Sequence, residues 1–572
     1  MLNHITTFLL LAFGTSASLG NAWIDETGIA VQQPMAMPAV KGKHLGKGTC
    51  IMHGPLNALG RHRDAKDPSH SISVPSPPLD IRPLVVSGPP ENRIDLVFFS
   101  DGYTSRESDK FFADAKQLAD DVSQNQTFYT VKPLINFWGA FTPSEESGIG
   151  VGGVPKNTPF GLYRDGTELR AVYYDKPEVA HAACDSMQDQ CDYPILLGND
   201  PLYGGLGGEF TVITSSLLNG PLVLRHELGH SVIDVGEEYD GGFAYFGVNA
   251  AQNNSEPVPW AHWLSPSDTA HDDLRSTSTS MSAHSGARVE RSVMPIQVYP
   301  WTLLNITQSW SISFNASGLY NRHLVRFSLS GLPEASDLRV ELDGKDLGWI
   351  PKEGLGLDRW HYDIHRDGGL SNGEHELRFT LLNGEREGVA QMCSAEILEF
   401  GDESEFISTP GHYSLYPTYS DKNETSYRPT NEDCLMRVVT TPNFCKVCIE
   451  GLWLSLLKRV NLIDNFTESC TRAGLPDPWA KSFNLELVPL AQLRQGVEGP
   501  INNEAYAIVW EKDGVVLDEF ANQTYVTVDD AGSVGVYTVS VKFSTDEVRV
   551  DKEGLLKASL RHEVKTRCRD SL

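Results

Sequence analysis

At 572 residues the chain is longer than one hydrophobic core usually supports, which suggests roughly two to four domains. Its 47 Lys and Arg against 75 Asp and Glu leave a formal net charge of −28, with no basic run to offset it, and so argue against binding to nucleic acid or to an anionic membrane surface. The 40% hydrophobic and 21% charged content is that of an ordinary folded protein, and the acidity reads as solubility outside a cell.

In chain order, the first element is the apolar stretch from Ile5 to Phe13, followed by small residues that permit cleavage after about Ala17 or Ala22. Residues 1–22 therefore read as a secretory signal, too short to span a bilayer, and no later run is long and apolar enough for a transmembrane anchor. Seven N-x-[ST] sequons, at Asn125, Asn253, Asn305, Asn315, Asn423, Asn465 and Asn522, agree with a secreted, extracellular glycoprotein. In an exported chain the nine cysteines read first as disulfides, and Cys184 with Cys191 would close a small loop.

Residues 23–92, rich in Pro, Gly and His, read as an extended arm, a small β element or a propeptide. From Arg93 the texture changes. "IDLVFFSDGYT" is a buried strand ending in a turn, and "RESDKFFADAKQLADDVSQ" has helical spacing, with Phe111, Phe112, Ala115 and Leu118 on one side. "INFWGAFTPSEES" and "YPILLGND" are further strands. The segment "PLYGGLGGEFTVITSS" runs through glycines into a β-branched strand, where glycine marks either close approach of another backbone or a loop. "GGEFTVITS" is expected to be an edge strand able to pair with an extended substrate.

The stretch "LRHELGHSVIDVGEEYDGG" carries the chemistry. His226 and His230, four residues apart, share one face of a helix, where two neutral imidazoles can hold Zn²⁺. Glu227 between them can act as general base on a water polarised by that ion. Leu222, Leu224, Leu228, Val232 and Ile233 give the helix an apolar body, Gly229 is small beside the site, and Gly236 is expected to end the helix. A catalytic zinc needs a third protein ligand. Asp234 lies roughly 12 Å of rise along the same stripe from His226, too far to share one ion with it. A residue beyond Gly236 can fold back, which favours Glu237 or Glu238.

Beyond this helix, residues 267–408 open with a Ser/Thr/His-rich loop and continue as strand-like runs separated by Gly and Asp turns, the pattern of an inserted β-sandwich. Residues 481–572 alternate like an immunoglobulin-like β-sandwich. The expected fold class is α+β: a zincin-like α/β catalytic domain in two parts, 93–266 and 409–480, with the inserted sandwich and a C-terminal all-β domain.

Several of these segments together resemble the immunoglobulin-A-peptidase family of zinc metallopeptidases, a metzincin-like group. They are "IDLVFFSDGYTSRESDKFFADA", "FWGAFTPSEESG", "YGGLGGEFTVITSS", "HELGHSVIDVGEEYD", "VPWAHWL" and "SYRPTNEDCLMRVVTTPNFCKVC", in the family's order across the insertion. The resemblance implies Zn²⁺ as cofactor, His226, His230 and Glu237 as its ligands, Glu227 as catalytic base, and Met436 as the methionine of the turn beneath the metal. The spacing from His230 to Glu237 is one residue longer than in the general metzincin pattern, and Glu stands where Asp is more usual.

Tyr427 is a candidate for stabilising the oxyanion, beside the alternative of a packed tyrosine. Tyr239 and Asp101 read as supporting residues, and His262 as packed between tryptophans. Cys434, Cys445 and Cys448 are expected to include a structural disulfide, and Cys50 has no activation motif around it that would make it a latency cap. The function expected is secreted zinc-dependent endopeptidase activity on protein or peptide substrates. The alternative is a non-enzymatic secreted protein whose β modules contact glycan or matrix.

Overall fold

The structure, a computed structural model, describes residues 23–24, 30–31, 74–124, 127–254, 257–266, 287–472, 479–494, 501 and 503–570. The signal segment, most of the arm before residue 74, Cys50, Asn125 and most of the Ser/Thr/His-rich loop lie outside them. The chain divides into two units, residues 1–40 and 41–572. In the first, Trp23–Ile24 pairs antiparallel with Ala30–Val31. The second unit holds every described element from residue 74 onward.

A six-stranded sheet carries the chemistry. Its strands are β1 (Asp80–Val85), β2 (Ile94–Asp101), β3 (Ile135–Phe141), β4 (Tyr193–Gly198), β5 (Gly205–Leu206) and β6 (Thr211–Thr214), in the order β1-β3-β2-β4-β6-β5. The four strands β3, β2, β4 and β6 run parallel, and β1 and β5 are antiparallel additions at the rims. Every residue of β2 and β3 is buried, as strands inside a mainly parallel sheet must be. The polar residues among them are satisfied: Asp95 accepts from Trp138 Nε1 at 2.6 Å and Asn136 Nδ2 at 2.9 Å. Asp101, at the end of β2, accepts from the amides of Phe160 and Leu162 and from Thr158 Oγ1, so it is a loop anchor.

Helix α1 (Ser108–Ser123) buries Phe111, Phe112, Ala115, Leu118, Ala119 and Val122, the stripe read from its spacing. It packs against β3 and α3 (Gly220–Val232). A capping box between Thr104 and Glu107 opens the turn leading into it. The helix α2 (Pro177–Ser186) is tied to the start of β4 by the Cys184–Cys191 disulfide. In α3 all residues except Leu222 are buried, so it has no solvent face. It ends at Val232, four residues before the expected stop. Gly236 does other work: it lies in an extended segment paired with the loop at 244–246, and a Cβ there would sit 2.4 Å from Ala244 O.

The strand expected at the sheet's rim, Thr211–Thr214, is covered on its outer side by β5, which turns back antiparallel on Val212 and Ile213. The true rim is the two-residue β5.

Residues 292–400 form a five-stranded and a four-stranded sheet, and Phe314, Val325, Phe327, Val340, Leu377, Phe379 and Ile397 from both share one apolar core. Beyond α4 (Lys446–Leu457), a three-stranded and a four-stranded antiparallel sheet follow. The first includes Ile463–Arg472 paired with Trp479–Leu487, so this β region starts near residue 463 rather than at 481. Register pairing assigns the strand to its neighbours, which a composition shift cannot do. The Cys470–Cys568 disulfide fastens this strand to the C-terminal segment.

Candidate metal centre

Helix α3 presents His226 and His230 one turn apart, and the extended segment after Val232 folds back to bring Glu237 to both. His226 Nε2 lies 3.2 Å from His230 Nε2, and the two oxygens of Glu237 lie 3.3 Å and 3.2 Å from the two rings. All three side chains are buried. A tetrahedral ion with bonds of about 2.0 Å has ligand-to-ligand edges of about 3.3 Å, so the spacing of the two ring nitrogens from each other and of the carboxylate from each ring suits a zinc-sized ion.

The far side of each imidazole fixes its tautomer. His226 Nδ1 donates to Leu435 O at 3.3 Å and His230 Nδ1 to Val235 O at 3.2 Å, which leaves both Nε2 lone pairs facing the same point. Two lone pairs and a carboxylate that converge out of water repel one another unless a cation lies between them. Neither oxygen of Glu237 has a well-directed hydrogen bond, although both are buried. Burial opposes charge on His226, but Glu237 beside it outweighs burial and raises the ring to about 9. Burial likewise pushes Glu237 up, and His230 and His226 overcome it and hold the carboxyl at about 2. The residues therefore fit a divalent cation, and in its absence His226 and Glu237 hold a proton between them.

Glu227 is fully buried, and the glycine segment lies directly on it. A Cβ on Gly207 would sit 2.4 Å from Glu227 Oε2, and one on Gly205 3.5 Å from Oε1. These glycines are thus a close backbone approach rather than a loop signature. Beneath the helix, a Cβ on Gly229 would meet Phe444 at 3.0 Å and Met436 Sδ at 3.2 Å. Met436 therefore packs under the middle of the His-Glu-Leu-Gly-His stretch, and its carbonyl accepts from Glu238 N at 3.0 Å.

Glu238 turns away from the two histidines. Its Oε1 accepts from Asn249 Nδ2 at 2.9 Å and lies 3.9 Å from Cys448 Sγ. The side chain of Asp234 is exposed. The ring of Tyr239 lies 6.5 Å from that of His226. Tyr427 lies half-buried in the strand Thr425–Arg428, joined through its backbone to Ala251. His262 faces Glu450 at 2.5 Å, a packed histidine. The expected disulfide among Cys434, Cys445 and Cys448 is not formed: all three are free thiols, their sulfurs too far apart for a bond. Sequence reasoning passed over Leu435 and Val235, because a backbone carbonyl acts through its position and leaves no trace in residue type.

Residues 82–280 match the family described as IgA Peptidase M64. No curated protein matches the chain. Among solved structures the chain is similar to the ANX2 ectodomain from Arabidopsis thaliana, at 12% identity over 20% of this chain and 31% of that one, with a TM-score of 0.14. It is also similar to a GH2 beta-galacturonidase from Eisenbergiella tayi bound to galacturonate, at 11% identity over 45% of this chain and 34% of that one, with a TM-score of 0.09. The matches span about a third of the length of those chains, and at such TM-scores they carry no argument about fold or activity.

Proposed function

We propose, from the match of residues 82–280 to the IgA Peptidase M64 family, that the chain is a secreted zinc-dependent endopeptidase with Glu227 as general base. The observation that carries this reading is the convergence of His226 Nε2, His230 Nε2 and Glu237 at zinc-sized spacing, with both Nδ1 atoms held by carbonyls. When bound there, Zn²⁺ would polarise the scissile carbonyl and lower the pKa of a water. Glu227, adjacent to His226 and pressed by Gly207, takes the proton of the attacking water and passes it to the leaving amine. Tyr427 is the tyrosine expected to serve the developing oxyanion, and Tyr239, read from the sequence as a supporting residue, is its rival because its ring lies 6.5 Å from that of His226. An extended substrate backbone would join the sheet at Gly205–Leu206, the rim beside Glu227.

Secretion is supported by the apolar N-terminal stretch and by the sequons: Asn253, Asn305, Asn315, Asn423, Asn465 and Asn522 are all exposed, as an acceptor for glycan must be. Among the described residues no helix is long and apolar enough to cross a membrane.

Glu227→Gln tests the reading. It should keep its metal content and lose about 10²- to 10⁴-fold in peptide hydrolysis, the usual contribution of a general base. A Glu227→Gln protein with full activity refutes the role. His226→Ala should lose both metal at this centre and activity.

A further inference from the structure

Behind the histidine site a second cluster of ligand atoms closes on itself. Cys434, Cys445, Cys448 and Glu238 are all buried, and their ligand atoms lie within 4.8 Å of one another. Cys448 Sγ is 3.7 Å from Cys434 Sγ, 3.8 Å from Cys445 Sγ and 3.9 Å from Glu238 Oε1. A tetrahedron with Zn–S bonds of about 2.3 Å has S···S edges of about 3.8 Å. A disulfide would need two of these sulfurs at about 2.05 Å and would strand the third. The same chain does pair Cys184 with Cys191 and Cys470 with Cys568, so these three thiols stand apart from its disulfide framework.

The surroundings are those of a ligand set. Cys445 caps the N-terminus of α4 and Cys448 lies in its first turn, where the helix dipole favours thiolate. The amide of Cys445 donates to Cys434 Sγ at 3.4 Å. Asn249 holds Glu238 Oε1 and is itself fixed by two hydrogen bonds with the backbone of Gly236. Glu238 Oε2 is fully buried and has no hydrogen-bond partner among the described residues.

We propose that Cys434, Cys445, Cys448 and Glu238 form a second, closed tetrahedral site for a thiophilic divalent ion of the zinc class, distinct from the histidine centre. Four protein ligands leave no open position, so its role is structural. It joins three segments that build the first site. Glu238 follows Glu237, Cys434 lies two residues before Met436 and next to the Leu435 carbonyl that orients His226, and α4 lies behind them. The ion staples the third ligand and the methionine turn to the same point.

Metal analysis of the full chain tests this. The wild type should hold two zinc ions per chain, and His226→Ala/His230→Ala should retain one. Cobalt(II) exchanged into that double variant should give an intense near-ultraviolet thiolate-to-cobalt charge-transfer band, which a site of histidines and carboxylates cannot produce. One ion per wild-type chain with no sulfur in its shell, a cobalt spectrum without thiolate character, or a third disulfide in the mass of the denatured chain would each overturn the proposal. The wild type alone decides if the double variant does not fold, through its stoichiometry and the sulfur shell in zinc X-ray absorption. None of these readouts depends on peptide hydrolysis, so a failure of the proposed activity leaves the result interpretable.

Discussion

Gly207→Ala separates positioning of Glu227, the proposed general base, from stability. A methyl carbon at Gly207 would lie 2.4 Å from Glu227 Oε2, 3.6 Å from its Cδ and 3.8 Å from His230 Cδ2. Side-chain carbons essentially never approach a heavy atom within 3.0 Å, so the carboxylate must retreat by at least 0.6 Å, and by about 1 Å to reach ordinary contact. The backbone of Gly207 does not have a positive φ, so alanine adds no strain of its own there. What yields is the far end of Glu227, and a misplacement of about 1 Å in a catalytic group costs about 10²-fold, or about 2.7 kcal/mol of transition-state stabilisation. The expected result is a fall of about 10²-fold in kcat on a quenched-fluorescence peptide, with unchanged metal content and a melting temperature within a few degrees of the parent. Gly384→Ala, where a Cβ meets nothing within 4 Å, serves as the silent control. Full activity in Gly207→Ala would refute the claim that this glycine exists to admit the Glu227 carboxylate.

Three further outcomes follow from the same geometry. In metal-stripped protein the ring of His226 is raised from 6.5 to about 9 and the Glu237 carboxyl is lowered from 4.5 to about 2, so their pair stabilises the fold fully between about pH 4.5 and 6.5 and is lost as pH rises through about 9. At about 1.4 kcal/mol for each tenfold change in proton affinity, the rise at His226 is worth about 3–4 kcal/mol. Denaturant unfolding at the two ends of that window should show this decline, and a Glu237→Gln protein that declines equally would rule out the pair as its source. Tyr239→Phe should lower kcat more than Tyr427→Phe with KM little changed in both, because the ring of Tyr239 lies 6.5 Å from His226; the reverse order would assign the oxyanion role to Tyr427. Cys470→Ser/Cys568→Ser should cost about 2–4 kcal/mol, since the bond closes a 98-residue loop, and should leave peptide hydrolysis intact. Unchanged unfolding in denaturant would show that the strand Ile463–Arg472 is held by pairing alone.

The elements legible in the sequence are those that depend on local pattern. Ile94–Asp101 announces a buried strand through the unbroken apolar run from Leu96 to Phe99, and α1 announces its buried stripe through Phe111, Ala115 and Leu118. His226, Glu227 and His230 are legible because helical geometry alone puts i and i+4 together. The end of α3 is not legible because Gly236 is the usual helix-stop residue, while its actual constraint is a loop eight to ten residues away, at Ala244 and Phe246. The sheet rim was misplaced for a similar reason: β5 is two residues long and rich in glycine, and only its antiparallel pairing with Val212 and Ile213 identifies it as a strand.

The acidic run after the helix shows where sequence reasoning stops and why. Glu237 and Glu238 are chemically identical neighbours, and spacing from His230 admits either. In an extended segment successive side chains point to opposite sides. The pairing of Gly236 and Glu237 amides with Phe246 and Ala244 sets that segment's rotation, so Glu237 faces the two imidazoles and Glu238 faces Cys448. A slip of one residue in this pairing would exchange the two roles, which makes the loop at 244–246, with no ligand of its own, the element that decides which carboxylate completes the histidine site.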